Sequence, residues 1–306
     1  MTYSIMQMIE LASTGFPLLL NSVLGRIPIL VAGEDTELVD DLTESLTMLC
    51  PHRHKFVFWR DFTSEAEIRS VWDEERHDYE VNRTVVCCLS TNLTLALDRI
   101  TQFMGWIVSI PLSADVLGLH VTEETLVKAA AHILRTSGNC GILRVTSPSA
   151  ISFSLVKPGL PCLDVEKRIV SKILSRKTQS LERIRRLLKK SLRDLNVSEQ
   201  IADEVLKLDD DSEKLTHDMF EEEVNSYVHA ARRAVMILSR IRLARQLGAS
   251  ITLTDRNLYE AIGWETGEMP ELVRFIRGEW HEDFSDCVKG GALSGLGAWV
   301  DSMWGT

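Results

Sequence analysis

Apolar and polar positions in the first half of the chain switch between two periods. Residues 7–24 place apolar side chains at helical spacing, interrupted around Gly15-Phe16-Pro17. Ile27 to Ala32 (IPILVA) is unbroken, apolar and rich in β-branched residues, the pattern of a strand covered on both faces. Pro28 suits the start of such a strand. Leu38, Val39, Leu42, Leu46 and Leu49 then form a helical stripe over Thr36 to Cys50, with Asp35 as N-cap and Pro51 as terminator.

The rhythm continues. Lys55 to Trp59 predicts a strand whose alternation buries Phe56 and Phe58 together and turns Trp59 to the opposite face. Ser64 with Glu67 predicts a capping box opening a helix through Trp72. Arg83 to Leu89 is a third strand, Leu93 to Met104 a third helix and Gly105 to Leu112 a fourth strand. A helix over 122–136 leads to strands Gly141 to Val145 and Ile151 to Val156, whose short link through Pro148 predicts a hairpin at the sheet edge. This alternation predicts an α/β domain over 1–160, a mainly parallel sheet sandwiched by helices.

Beyond Gly159-Leu160-Pro161 the pattern holds no strand, and 161–306 reads as an all-α domain. Val165 to Leu195 is a basic helical stretch with a break near Thr178 to Ser180, and Asn196 to Leu208 a short helix. Asp209-Asp210-Asp211 reads as a solvated loop, since with Glu213 it lacks the ligand spacing of a calcium loop. Asp218 to Leu247 follows as one helix, its acidic start and basic end both suiting the macrodipole. Two or three closing helices carry Trp264, Trp280, Trp299 and Trp304.

At 306 residues, 45% hydrophobic and 25% charged, the composition is that of an ordinary globular protein. No apolar run approaches the roughly 20 residues that span a bilayer, and no signal peptide pattern opens the chain, so a cytoplasmic location is expected. Adjacent Cys87 and Cys88 point to opposite faces of a strand and read as buried thiols rather than shared metal ligands. Cys50, His52 and His54 admit a metal cluster or a polar turn before a strand, and the turn is the simpler reading. Neither metal nor cofactor is expected.

The strand-to-helix turn Gly33-Glu34-Asp35-Thr36 stands where such sheets often hold a nucleotide. One glycine and two carboxylates make a poor phosphate cradle. The turn fits a helix cap, or a magnesium ion or ribose hydroxyl in a degenerate nucleotide-binding enzyme. No G-x-S-x-G, G-K-[ST], H-E-x-x-H or G-x-G-x-x-G occurs, so no catalytic residue is assigned.

Charge adds one candidate surface. The net charge is −10, but Asp164 to Leu195 holds eleven Lys/Arg against four Asp/Glu, a local +7 that leaves −17 elsewhere. Arg183, Arg185, Arg186, Lys189, Lys190 and Arg193 are the candidate partner-binding residues. On a helix most of them share a face opposite Leu181, Ile184, Leu187 and Leu188. The alternatives are a solvated face and a docking surface for an acidic protein or a peripheral membrane contact. Nucleic acid fits less well, because the strip lacks aromatic residues and the rest of the chain repels phosphate.

The segment LLLNSVLGRIPILVAGEDTELVDDLTESLTMLCP resembles the central part of a DENN domain, closest to the folliculin-type branch. That family leads a helix into a buried strand, then a D-x-x-L-V helix ending in L-x-x-M-L-P. Leu18–Arg26, Ile27–Ala32, Asp35–Val39 and Leu46–Pro51 match in turn. Ile151–Val156 and Val165–Leu174 resemble the family's last strand and the basic helix after it. The resemblance spans about 16–205 and implies action on small GTPases, in nucleotide exchange or within a GTPase-activating assembly. Family members work beside a longin domain, for which the residues before 16 leave no room. Since the folliculin-type arginine finger belongs to that domain, a longin-containing partner is expected to supply it.

Overall fold

Every residue of strand β1 (Ile29–Gly33) is buried, because the strand lies inside a sheet with both neighbours parallel to it. The structure is a computed structural model. It describes residues 3–59, 64, 66–67, 69–70, 84–99, 105–147, 149–157, 159, 161–176, 210–249, 253–264 and 267–287. The six-stranded sheet also contains β2 (His54–Val57), β3 (Thr84–Cys88), β4 (Ile107–Pro111), β7 (Gly141–Ser147) and β8 (Ala150–Leu155). Their order is β2-β3-β4-β1-β7-β8, parallel except for the β7–β8 hairpin at one edge.

Alternation along the strands sorts the core into two layers. Ile29 and Val31, with Val85, Cys87 and Leu143, face α1 (Ile5–Ala12), α2 (Phe16–Leu24) and α3 (Thr36–Ser45). Leu30 and Ala32, with Val86, Cys88 and Val108, face α4 (Leu93–Arg99) and α5 (Glu123–Ser137). Cys87 and Cys88 thus occupy opposite faces, as adjacent strand residues must. The interruption at Gly15-Phe16-Pro17 is a single 3₁₀ turn, Ser13–Gly15, that joins α1 to α2 and leaves Pro17 in the first turn of α2.

An all-α region follows: α6 over 164–176, α7 (Asp210–Gln246), α8 (Asp255–Ile262) and α9 (Met269–Trp280). Its apolar faces continue the first layer without a break, so Phe16, Leu20 and Ile29 belong to one cluster with Phe220, Tyr227, Leu272 and Phe275. Among the described residues no helix is long and apolar enough to cross a membrane.

Two sequence expectations are corrected, and one element is added. Asp210 and Asp211 are not loop residues but open α7. Trp59 does not turn away from Phe58. Its backbone adopts φ +61°, β2 stops at Val57, and both rings join the layer around Trp106, with Phe58–Trp59 centroids 5.6 Å apart. A left-handed residue breaks period-two alternation, so the strand rule fails there. A small hairpin, β5 (Asp115–Val116) and β6 (Leu119–His120), turns on Leu117 and Gly118, both with positive φ. Strands of two residues are too short to show a period.

Candidate functional site

β1 lies between β4 and β7; the turn after β1 enters α3 on one face of the sheet, and the loop after β4 leads to α5 on the other. The connections leaving the adjacent strands β1 and β4 therefore run to opposite faces, and open α/β sheets bind ligands outside the carboxyl ends at such a reversal. A cleft of about 450 Å³ lies there, lined by Gly33, Glu34, Asp35, Leu112, Glu123 and Arg144 among others.

Asp35, Glu123 and Arg144 on the walls of the cleft are already engaged. The Asp35 carboxylate accepts a hydrogen bond from the Leu38 amide at 3.2 Å and so caps α3. Arg144 donates through both terminal nitrogens to Glu123, at 2.6 and 3.0 Å, and this pairing draws the Glu123 carboxyl below its ordinary range. Glu123 and Glu124 occupy the first turn of α5, and Glu37 that of α3. Both helix N-termini at the cleft thus face the chain's own carboxylates, and an incoming phosphate would meet Glu34, Asp35 and Glu123.

Gly33 serves packing. A Cβ there would stand 2.9 Å from the Val145 carbonyl oxygen and 2.9 Å from Val39 Cγ2. Substituting Gly33→Ala is therefore expected to cost about 1–3 kcal/mol, measured by denaturant titration, since the neighbouring backbone of β7 must shift.

Buried ionic groups gather where the sheet layer meets α9. Glu279 is enclosed and pairs with Arg53, whose Nε lies 3.0 Å away, and with Arg26 at 3.3 Å. Arg53 also donates to the carbonyls of Val23 and Leu24, both at 2.7 Å, satisfying the end of α2. Burial raises the Glu279 carboxyl, but Arg53, Arg26 and His52 outweigh it and hold the group well below its ordinary range. His52 lies 3.5 Å from Glu279, and burial pushes its imidazole down despite that carboxylate. His52 therefore borders the buried ion pairs as a ring that burial keeps from charging, while His54 stands exposed at the start of β2 and Cys50 is a buried thiol. Among the described residues no three His, Cys, Asp or Glu side chains are grouped to hold a metal ion.

A second cluster joins α2, α6, α7 and α9 around a cavity of about 20 Å³, room for one water molecule. Asn21 donates to Glu166 Oε1 at 2.9 Å, and Arg274 reaches Asn21 Oδ1 at 3.2 Å while pairing with Glu271. Glu166 Oε2 is buried and accepts no hydrogen bond. Burial lifts the Glu166 carboxyl to about 7, against the hydrogen bond from Asn21 and the charge of Arg274. Sequence reading passes over Glu166 and Glu279, because each occupies an ordinary helical position. The available signal was a carboxylate on the apolar face, between Val165 and Ile169 in one helix and beside Ile276 and Trp280 in the other.

The sequence-predicted strip Arg183, Arg185, Arg186, Lys189, Lys190 and Arg193 lies outside the described residues. The Ser64 and Glu67 cap is present, with the Glu67 amide donating to Ser64 Oγ at 3.3 Å. Comparison with family models, curated proteins and solved structures gave no match to this chain.

Proposed function

We propose that this chain is a non-catalytic, cytoplasmic module that binds and regulates small GTPases in a DENN-like manner, beside a longin-domain partner. The observation that supports this reading best is the engaged cleft at the strand reversal. Its helix N-termini face internal carboxylates, so the place where an α/β enzyme would hold phosphate is electrostatically hostile to one. A sheet whose cleft is lined by its own carboxylates serves as a scaffold for protein contact. The DENN-like pattern of Leu18 to Pro51 supplies the kind of partner.

Two measurements test the reading. Release of a fluorescent guanine nucleotide is followed from a panel of purified small GTPases, with retention of each on the immobilised chain. Retention of at least one GTPase with altered nucleotide release is expected; no retention and unchanged release across the panel overturns the proposal. Titration calorimetry with ATP or GTP and magnesium is expected to show no heat. Heat that disappears on Asp35→Ala would instead establish the nucleotide-binding alternative.

A further inference from the structure

Helix α7 carries a feature that the cleft and the resemblance leave unused. From Val224 to Ala249 the sequence contains no Asp or Glu, in a chain of net charge −10. The same stretch holds five arginines, of which three are engaged. Arg233 donates to the Ile262 carbonyl at 2.8 Å through Nε. Arg242 reaches Asp286 at 3.1 Å and covers the Phe284 ring, and Arg245 donates to the Asp286 carbonyl at 2.6 Å. Arg232 and Arg240 are exposed and pair with none of the described residues.

These two arginines share a ridge with the largest apolar exposures of the helix and of the turn that ends it. Met236 is 57% exposed, Leu243 57% and Leu247 79%. Positions 236, 240, 243 and 247 follow the four-three-four spacing of a coiled-coil seam, with Arg232 one turn before it. From Arg232 to Leu247 the ridge runs about 22 Å at 1.5 Å per residue. It is held rigid from behind, because Ala230, Ala231, Ala234 and Leu238 on the opposite face are buried in the core.

We infer that this ridge docks an acidic amphipathic helix of a partner protein, with apolar residues over Met236, Leu243 and Leu247 and carboxylates opposite Arg232 and Arg240. Charge and geometry favour this occupant over a second copy, residues 288–306 or a membrane. A second copy meeting the ridge symmetrically would set arginine against arginine. Residues 288–306 bring one side-chain carboxylate, Asp301, and one lysine, Lys289, which cannot balance two arginines. An anionic membrane would need apolar insertion, and three apolar side chains offer little. A helix pairing along the seam satisfies both the apolar and the charged positions.

The probe is a synthetic 21-residue helical peptide with leucine at its seam positions and glutamate flanking them, tested on the full chain by fluorescence anisotropy. A lysine-flanked counterpart is tested in parallel. The glutamate peptide is expected to bind the native chain. Its affinity is expected to fall at least about tenfold in Arg232→Glu/Arg240→Glu, a variant to which the lysine peptide then binds better. Met236→Asp/Leu243→Asp should abolish binding of either peptide. These positions are exposed, so the melting temperature of the variants should be unchanged, which separates docking from folding. Absence of binding, or equal binding to the native chain and the variants, overturns the inference. So does a dimer in sedimentation that Met236→Asp disperses, or displacement of the probe by a peptide of residues 288–306. Sedimentation with phosphatidylserine vesicles that depends on the same residues would assign the ridge to a membrane and overturn it too.

Discussion

Glu279→Gln is expected to lower the unfolding free energy by about 3–5 kcal/mol, the largest loss foreseen for a single side chain here. The glutamine keeps the shape but removes the charge that two enclosed guanidiniums share. Arg53 and Arg26 are nearly inaccessible, with side-chain exposures of 2% and 4%, so solvent cannot replace the lost carboxylate. The damage should spread along the seam, since Arg53 also holds the carbonyls of Val23 and Leu24 at the end of α2. Equilibrium denaturation measures the loss, and a change below about 1 kcal/mol would sink this account of the network. Arg53→Met combined with Glu279→Leu should cost less than the sum of the two single changes, because removing both partners leaves fewer unmatched charges. The folded carboxyl lies well below 4.5, so this contribution is present at neutral pH and is lost as pH falls through the folded value.

Glu166 has the opposite sign. Its folded carboxyl is raised from 4.5 to about 7, so the folded chain keeps a proton that the unfolded chain releases between those values. Stability is fully present below about pH 4.5 and is lost as pH rises through about 7, an effect of at most roughly 3 kcal/mol. The geometry agrees. Only Oε1 receives a hydrogen bond, from Asn21; Oε2 is buried and receives none; and Arg274 is already shared with Glu271 and Asn21. Glu166→Gln keeps a neutral group there and should flatten the loss of stability between pH 5 and pH 8. Glu271, also raised by burial, is present in both proteins, so the difference in slope reports Glu166 together with its coupling to Glu271. Melting temperatures of the native chain and the variant across that range are the measurement. Equal slopes for the two would remove Glu166 as the cause.

Much of the architecture was legible from spacing alone. The switch from period two to helical spacing located β1, α3, β3, β4, α5 and the β7–β8 hairpin within a few residues. Asp35 could be assigned as a cap because a cap bonds only to amides two or three residues ahead. Cys87 and Cys88 could be sent to opposite layers because alternation is built into the strand backbone. Where a rule depends on unbroken geometry, one residue defeats it: the left-handed Trp59 redirects an aromatic ring, and Leu117 with Gly118 makes a hairpin too short to recognise.

The sequence by itself thus determined which segments become strands and helices, which faces they bury, and that the turn after β1 is poor in phosphate-binding groups. Those are properties of neighbours along the chain, carried by backbone periods and local hydrogen bonds. Only the tertiary structure decided which charges meet. Arg53 and Arg26 reach Glu279 across 226 and 253 residues, and Asn21 reaches Glu166 across 145. It also decided that the cleft at the strand reversal is closed electrostatically by a pairing between Arg144 and Glu123, 21 residues apart. No period along the chain encodes such meetings. They arise when packed layers bring distant helices together and burial leaves each charge only the partners within reach.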